Sequence, residues 1–403
     1  MPTRHKRSQL QFQLETKDEC LLLLACLRAS LGTGHEHDVA DLMQRPLQWE
    51  RVMELGAWHD VLPFLHRALA GHAEVPTGVR EKLHRNFDQS VRYSLFLLGE
   101  QLRIHEKMTA QGLRVIAWKG PVLATRLYGS CAYRRSCDVD LLARPEDCCK
   151  ALEVLFEMGY IIPNSRLSAQ QLSYWQRAQH EARLVHPETF TVVELHDAIL
   201  PEFFLLKRLN SSAVFDRAKI QDGPFPVFSL SLEDEFLALC GHGTKHCWDR
   251  LKWLCDIAQF FRRYADALDW KQELKHADRN ECRNVVLLVA ALASEVLGSP
   301  LPAPLQKALA GNSSIQYHAS MLVQTILSSA SGISDDVVRS RLHFAVMQNS
   351  KSRLAYLCRK VVWVNPDEMH THAPTWSWRI SYYPRRILRA SAKGLAYFRP
   401  GVR

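Results

Sequence analysis

Apolar residues recur at three- and four-residue spacings from about residue 18 to about residue 108, and this period predicts a run of helices. "DECLLLLACLRASLG" opens with an acidic first turn and closes on glycine, while "QWERVMELGAWHDVLPFLHRALAGH" keeps the same period. A long amphipathic segment follows over roughly 79–111. The pattern then changes. "LRVIAW" (113–118) is short and β-rich, "KGP" (119–121) breaks it, and "PVLATRLYG" predicts a helix with Pro first and Gly last. "CDVDLLA" (137–143) alternates and then turns wholly apolar, as a central strand does. "PEDCCKALEVLFEMG" returns to the helical period, with Glu146 and Asp147 in its first turn and Gly159 as its stop. "EARLVH" (181–186) and "TFTVVELHD" (189–197) predict a hairpin. After Pro224 the helical period resumes at the capping-box start "SLED" (231–234), runs through "EFLALCGHGTKHCWDRLKWLCDIAQFFRR", and recurs over 278–296 and 303–330. The predicted class is α+β, a small mixed-sheet core flanked by N- and C-terminal helical regions. Its expected divisions are 1–108, 109–205 (the core), 206–330, and a loop with a basic segment at 331–403.

The composition, 47% hydrophobic and 23% charged, is that of an ordinary globular protein. No apolar run approaches the ~18–20 residues of a membrane span, and acidic residues interrupt the basic N-terminus before a signal core can form. A cytoplasmic location is therefore expected. Eleven cysteines without a CxxC pair read as reduced core residues, Cys148 on the apolar side of its helix among them. The net charge of +9 suits an anionic partner: a nucleotide, an RNA or a membrane surface. Part of the excess is local, since 379–403 holds seven cations and no acid. That tail reads as a last helix packing Tyr383, Ile387 and Phe398 on the body, as an RNA-binding patch, or as a peripheral membrane contact.

The chemistry lies in the middle. On a strand, Asp138 and Asp140 leave the same face, and two carboxylates beside each other in a buried place need positive charge between them. Glu194, in the next strongly β segment, can reach that face; its other reading is an ion pair with Arg183 across the hairpin. Three carboxylates on adjacent strands can hold Mg²⁺, or Mn²⁺, and leave positions for substrate phosphates. Lys119 and Gly120 sit where a strand turns into a helix, a phosphate-friendly turn, and Arg134 adds charge for a triphosphate tail. His196 shares the face of Glu194, either satisfied by a carbonyl or placed beside a nucleotide. His242, Lys245, His246 and Asp249 fall on one predicted helix face that would close over the nucleotide, with Trp248 and Lys252 beside it. As a zinc motif, His242 and His246 lack both a third ligand and the glutamate of a metalloprotease helix. Asp256 is expected to pair with Lys252, Arg135 to be surface charge, and "GHEHD" (34–38) to be a polar loop between helices.

At these residues the chain resembles a known family. "LRVIAWKGPVLATRLYG" and "YRRSCDVDLLARPED" are similar to the core of the polymerase-beta-type nucleotidyltransferase superfamily, and more narrowly to a bacterial family of uncharacterised nucleotidyltransferases. "WERVMELGAWHDVLPFLHRAL", "VVELHDAI" and "LSLEDEFLALCGHGTKHCWDRLKWLCDIA" extend the resemblance over most of the chain. It implies that Asp138, Asp140 and Glu194 ligate metal and that Lys119, Gly120 and Arg134 handle a triphosphate. The implied activity moves a nucleoside monophosphate from an NTP to an acceptor hydroxyl on a small molecule or protein, RNA being a further acceptor. The alternative is a nucleotide-binding or scaffold protein without turnover. One departure stands out: the wider superfamily has Gly-Ser or Gly-Gly where this chain has Lys119-Gly120-Pro121.

Overall fold

The structure, a computed structural model, describes residues 18–163, 180–200, 212–220, 226–328 and 336–362. The basic segment 379–403 and the predicted loop at 364–375 lie outside the described residues. Four helices, α1 (Asp18–Leu31), α2 (Glu36–Met43), α3 (Trp49–Trp58) and α4 (Leu62–Leu69), precede a long α5 (Thr77–Ala110), so the N-terminal helical period is borne out. The "GHEHD" expectation is corrected. His35 caps α2, and the Asp38 carboxylate accepts from the His35 N–H at 3.3 Å, so the motif is a helix start.

Strand β1 (Ile116–Ala117) leads into α6 (Gly120–Tyr128), a 3₁₀ turn at Cys131–Tyr133, β2 (Val139–Leu142) and α7 (Cys148–Glu157). The hairpin β3 (Glu181–Val185) and β4 (Val192–His196) completes a four-stranded sheet of order β1-β2-β4-β3. β2 and β4 run parallel and the outer pairs antiparallel, so the sheet is mixed. Short α8 (Ala213–Arg217) and a ribbon of β5 (Lys219–Ile220) and β6 (Phe228–Ser229) lead to the C-terminal helices. These are α9 (Leu232–Lys245), α10 (Leu251–Tyr264), α11 (Trp270–Arg279), α12 (Arg283–Leu297), α13 (Ala303–Ala310), α14 (Ser313–Ser328), α15 (Asp336–Val346) and α16 (Ser350–Val362).

The period of two in the strands divides the interior. Val139, Leu141, Val193 and Leu195 face one way, into a core with Leu97, Ile104 and Met108 of α5 and Leu152 and Leu155 of α7. The opposite face carries Asp140, Glu194 and His196 toward the C-terminal helices. Leu142 and Trp118 on that side join a larger core shared by α1, α3, α4, α9, α10 and α12. The N- and C-terminal helical regions, far apart in sequence, thus pack as one body around buried Leu22, Leu27, Phe236, Leu254 and Leu288. None of the described helices is long and apolar enough to cross a membrane. Cys148 is buried and Cys149 exposed, as their helical positions require, and neither is in a disulfide.

The long apolar pattern after Ser231 is two helices. The Ser231 hydroxyl accepts from the Asp234 N–H at 3.2 Å and starts α9. The helix stops at Lys245, because Cys247 and Trp248 take left-handed backbone (φ 55° and 56°). Such residues cost on the order of 1 kcal/mol each and need tertiary support. Trp248 supplies it: its fully buried ring packs flat on Gly243, and its indole N–H donates to the Thr244 hydroxyl at 3.2 Å. A Cβ at residue 243 would fall inside the van der Waals surface of that ring. Gly243→Ala is therefore expected to cost about 1–3 kcal/mol by overpacking, read as a lower urea midpoint at unchanged slope.

His59 fixes the start of α10. It is 2% exposed, its Nδ1 accepts from the Leu251 N–H at 3.4 Å, and its carbonyl accepts from the Lys252 N–H. Burial, and then the neighbouring Arg250 guanidinium, push its pKa down to about 4. Its contribution is complete above the unfolded value of about 6.5 and is lost as pH falls from there to about 4. Denaturant titrations at pH 7 and pH 4.5 should differ by on the order of 2–3 kcal/mol through this residue, and His59→Gln should flatten that difference.

Candidate active site

The site is built beside the start of α6, where the end of β1 meets the first half of β2 and the middle of β4. Asp140 and Glu194 are register partners on the two parallel strands, so their side chains stand side by side on one face. His196 lies two positions beyond Glu194 on the same face. One ligand atom from each of Asp140, Glu194 and His196 lies within 4.8 Å of the others. Asp140 is 2% exposed and is satisfied through a single oxygen: Lys119 Nζ at 2.9 Å and His196 Nε2 at 3.1 Å both meet Oδ1. Burial opposes its charge, but Lys119 and His196 outweigh burial and hold the carboxyl well below the usual carboxylate range. Glu194 has no such support. Among the basic side chains of the described residues only His196 comes within 4 Å, its Nε2 at 3.7 Å, and burial, then the charges of Asp140 and Glu181, raise the Glu194 pKa to about 8. The two neighbouring carboxyls thus differ: Asp140 is paired and held low, and Glu194 is raised.

Asp138 occupies a different place from the one expected. The strand begins at Val139, so Asp138 stands half-buried at its entrance, outside the compact set, with its pKa raised by burial and by Asp140. The segment before it is held down by Arg134, whose Nε donates to both oxygens of Asp256 at 3.0 and 2.9 Å; the Tyr128 hydroxyl donates to the same carboxylate at 2.9 Å. This corrects the expected Lys252–Asp256 pair: Lys252 Nζ reaches Asp60 at 2.7 Å instead. A spacing of four on α10 put the two on one face, but Asp256 points inward and Lys252 outward. Arg135 is exposed, 3.8 Å from Asp60, as a surface charge would be. Arg183 is exposed on β3 and makes no ion pair with Glu194 among the described residues, although the two are register partners.

Lys119 caps α6 and Gly120 begins it with φ +71°. A Cβ on Gly120 would make only ordinary contacts, with the Asp138 carbonyl at 3.5 Å and the Gln101 amide at 3.7 Å, so it is the backbone conformation that calls for glycine. Gln101 of α5 is fully buried, and neither of its amide atoms has a partner among the described residues. The Lys119 ammonium also lies 4.0 Å from the centre of the Trp118 ring, a cation–π contact that fixes its direction.

The C-terminal helices cover this face. The ring edge of Trp118 bridges His196 (5.6 Å) and His242 (6.0 Å). Lys245 is mostly buried; burial lowers its pKa, and Glu181, Glu194 and Asp140 are among the charges it feels. Burial, and then nearby Lys119 and Lys245 respectively, push His242 well down and His246 to about 3. So His242, Lys245 and His246 do gather beside the carboxylates. Asp249 does not share their helix, because α9 ends at Lys245, and it sits 3.6 Å from Arg339.

A family described as uncharacterised nucleotidyltransferases matches residues 45–298, more than half of the chain. The chain belongs to this family. The matched stretch runs from just before α3 to the glycine that ends α12, and contains every residue of the site just described. No match was found among curated proteins or among solved structures. Membership assigns the protein to the nucleotidyltransferase class, for which an NTP is the substrate and a divalent ion the usual partner of a carboxylate cluster.

Two members of the site are harder to read from sequence. His196 carries a signal, its spacing of two from Glu194, but that spacing alone does not bring it to Asp140. Gln101 carries none, since it looks like one more polar position of an amphipathic helix.

Proposed function

We propose that the protein is a metal-dependent nucleotidyltransferase of the polymerase-beta-like type, moving a nucleoside monophosphate from an NTP to an acceptor hydroxyl and releasing pyrophosphate. The observation that carries this reading is the pairing of Asp140 with Glu194 on parallel strands, beside the lysine-capped start of α6, in a chain of this family. The donor set fits a divalent ion: two carboxylates and an imidazole converge within 4.8 Å, and the Glu194 carboxylate has no hydrogen bond among the described residues. Asp140, Glu194 and Asp138 would hold Mg²⁺ or Mn²⁺, with His196 at hand as a fourth donor. When bound, such ions supply Lewis acidity toward the attacking hydroxyl and the triphosphate.

The chain's own part is placement and charge. Lys119 and the free N–H groups at the start of α6 neutralise the triphosphate, and Gly120 lets a phosphate approach the backbone. Arg134 adds charge from behind, its Nε edge being committed to Asp256. Lys245 adds a third cation, and His242 and His246, both uncharged, line the side toward the nucleoside. In the step itself the acceptor oxygen bonds to the α-phosphorus and the bond to the β-bridging oxygen breaks. Pyrophosphate leaves, and the hydroxyl proton passes to a carboxylate of the cluster. The acceptor is a small molecule or a protein.

A second reading, nucleotide binding without turnover, draws on Lys119 and His196, which already occupy the Asp140 oxygen a metal would use. The test is label transfer from each of four α-labelled NTPs in Mg²⁺ or Mn²⁺, with cell extract as the source of acceptor. Label on a product in wild type establishes the enzyme, and nuclease or protease sensitivity of the product names the acceptor class. Metal-dependent binding without transfer favours the second reading, and absence of binding overturns both.

A further inference from the structure

Beside the carboxylates lies a cluster of flat, uncharged rings that phosphate chemistry does not use. The His246 ring stands 5.1 Å from Trp253 and 4.8 Å from His242, and His242 is 5.4 Å from Trp253. All three are partly exposed. Trp253, on the first turn of α10, is nowhere among the candidate residues that sequence singled out. The cluster is continuous with the acid site through Trp118, whose edge touches both His196 and His242. The Trp118 indole N–H is buried and has no partner among the described residues.

Three features of this cluster point to a ligand. The imidazoles are held neutral, so they offer π faces and do not compete with Lys119 and Lys245 for phosphate. The Trp253 indole, with His246 tilted 36° and His242 standing 83° to its plane, is partly exposed next to a cationic turn and offers a ring on which a heteroaromatic base stacks. The cluster also adjoins the charged site: Lys245, one position before His246, feels the Glu181, Glu194 and Asp140 carboxylates.

We infer that Trp253, with His246 and His242, is the platform on which the base of the substrate nucleotide stacks, so that the site takes a nucleoside triphosphate rather than a bare polyphosphate. This rests on the nucleotidyl-transfer reading above and extends it from the phosphates to the base. The triphosphate lies at Lys119 and the start of α6, and the base reaches across Trp118 to the platform. Every base has a π face, so the platform distinguishes nucleotide from polyphosphate more sharply than one base from another.

The experiment is calorimetric titration of the full chain in Mg²⁺ with α,β-methylene-ATP, which cannot be transferred, and with inorganic tripolyphosphate. Wild type is expected to bind the nucleotide analogue at least about tenfold tighter than tripolyphosphate, the yield of one stacked base. Trp253→Ala should bring that ratio close to one while leaving tripolyphosphate affinity unchanged, and Trp253→Phe should restore most of it. Thermal unfolding checks that each variant is folded; should Trp253→Ala fail to fold, Trp253→Leu, which keeps bulk without a π face, carries the comparison. Equal affinity for the two ligands in wild type, or an unchanged ratio in a folded Trp253 variant, overturns the platform and leaves nucleotidyl transfer standing. Binding of neither ligand overturns both.

Discussion

Asp140→Asn is expected to abolish nucleotidyl transfer, lowering kcat/KM by at least about a thousandfold while the protein stays folded. Two opposed effects on stability justify the second half of that expectation. The substitution weakens the contacts that Lys119 and His196 make with Oδ1, but the asparagine carbonyl still accepts from Lys119. It also removes the charge that most raises the Glu194 carboxyl after burial, and likewise that of Asp138. The net change in unfolding free energy should stay within about 1–2 kcal/mol, far less than the loss in the reaction barrier. Label transfer and urea titration on the same preparation would show the separation. Residual transfer within tenfold of wild type would remove Asp140 from the chemistry.

The largest effect on stability is expected at Asp256, a residue that touches no proposed substrate. Asp256→Ala strands the Arg134 guanidinium, 6% exposed, and the Tyr128 hydroxyl without their shared acceptor. Breaking one side of a buried ion pair costs about 3–5 kcal/mol, because the remaining charge is left desolvated. Asp256→Asn keeps an acceptor for one of the two donors and should cost roughly half as much. Because Arg134 also anchors the segment that delivers Asp138, transfer should fall in either variant even below its melting temperature. A kcat effect with unchanged KM for NTP would mark Arg134 as a positioning residue, whereas a KM effect would give it direct contact with the triphosphate.

The strand pair that carries Asp140 and Glu194 was readable because a period of two is a local signal, and each strand shows it by itself. Asp138 lies one residue before the strand for a reason no local pattern contains: the strand starts only after the segment pinned by Arg134 and Asp256, a contact between the turn before β2 and helix α10, 122 residues further on. The break in the long C-terminal helical pattern was hidden in the same way. Cys247 and Trp248 have no turn signature, and their left-handed backbone is imposed by an indole that must fit against Gly243. Lys252 and Asp256 show the opposite error, where local spacing allowed a pair and tertiary contacts gave each residue a different partner. His242, Lys245 and His246 lie together because one helical turn is enough to gather them.

The parallel pairing of β2 with β4 also sets the order in which this protein can fold. The two strands are separated in the chain by helix α7 and strand β3, so the contact that aligns Asp140 with Glu194 closes a long loop and is expected to form late. That closing step brings two carboxylates together in a place where water is being expelled. The residues that make the reaction centre thereby raise the barrier to completing the sheet, and refolding should quicken as salt screens their repulsion before they are buried.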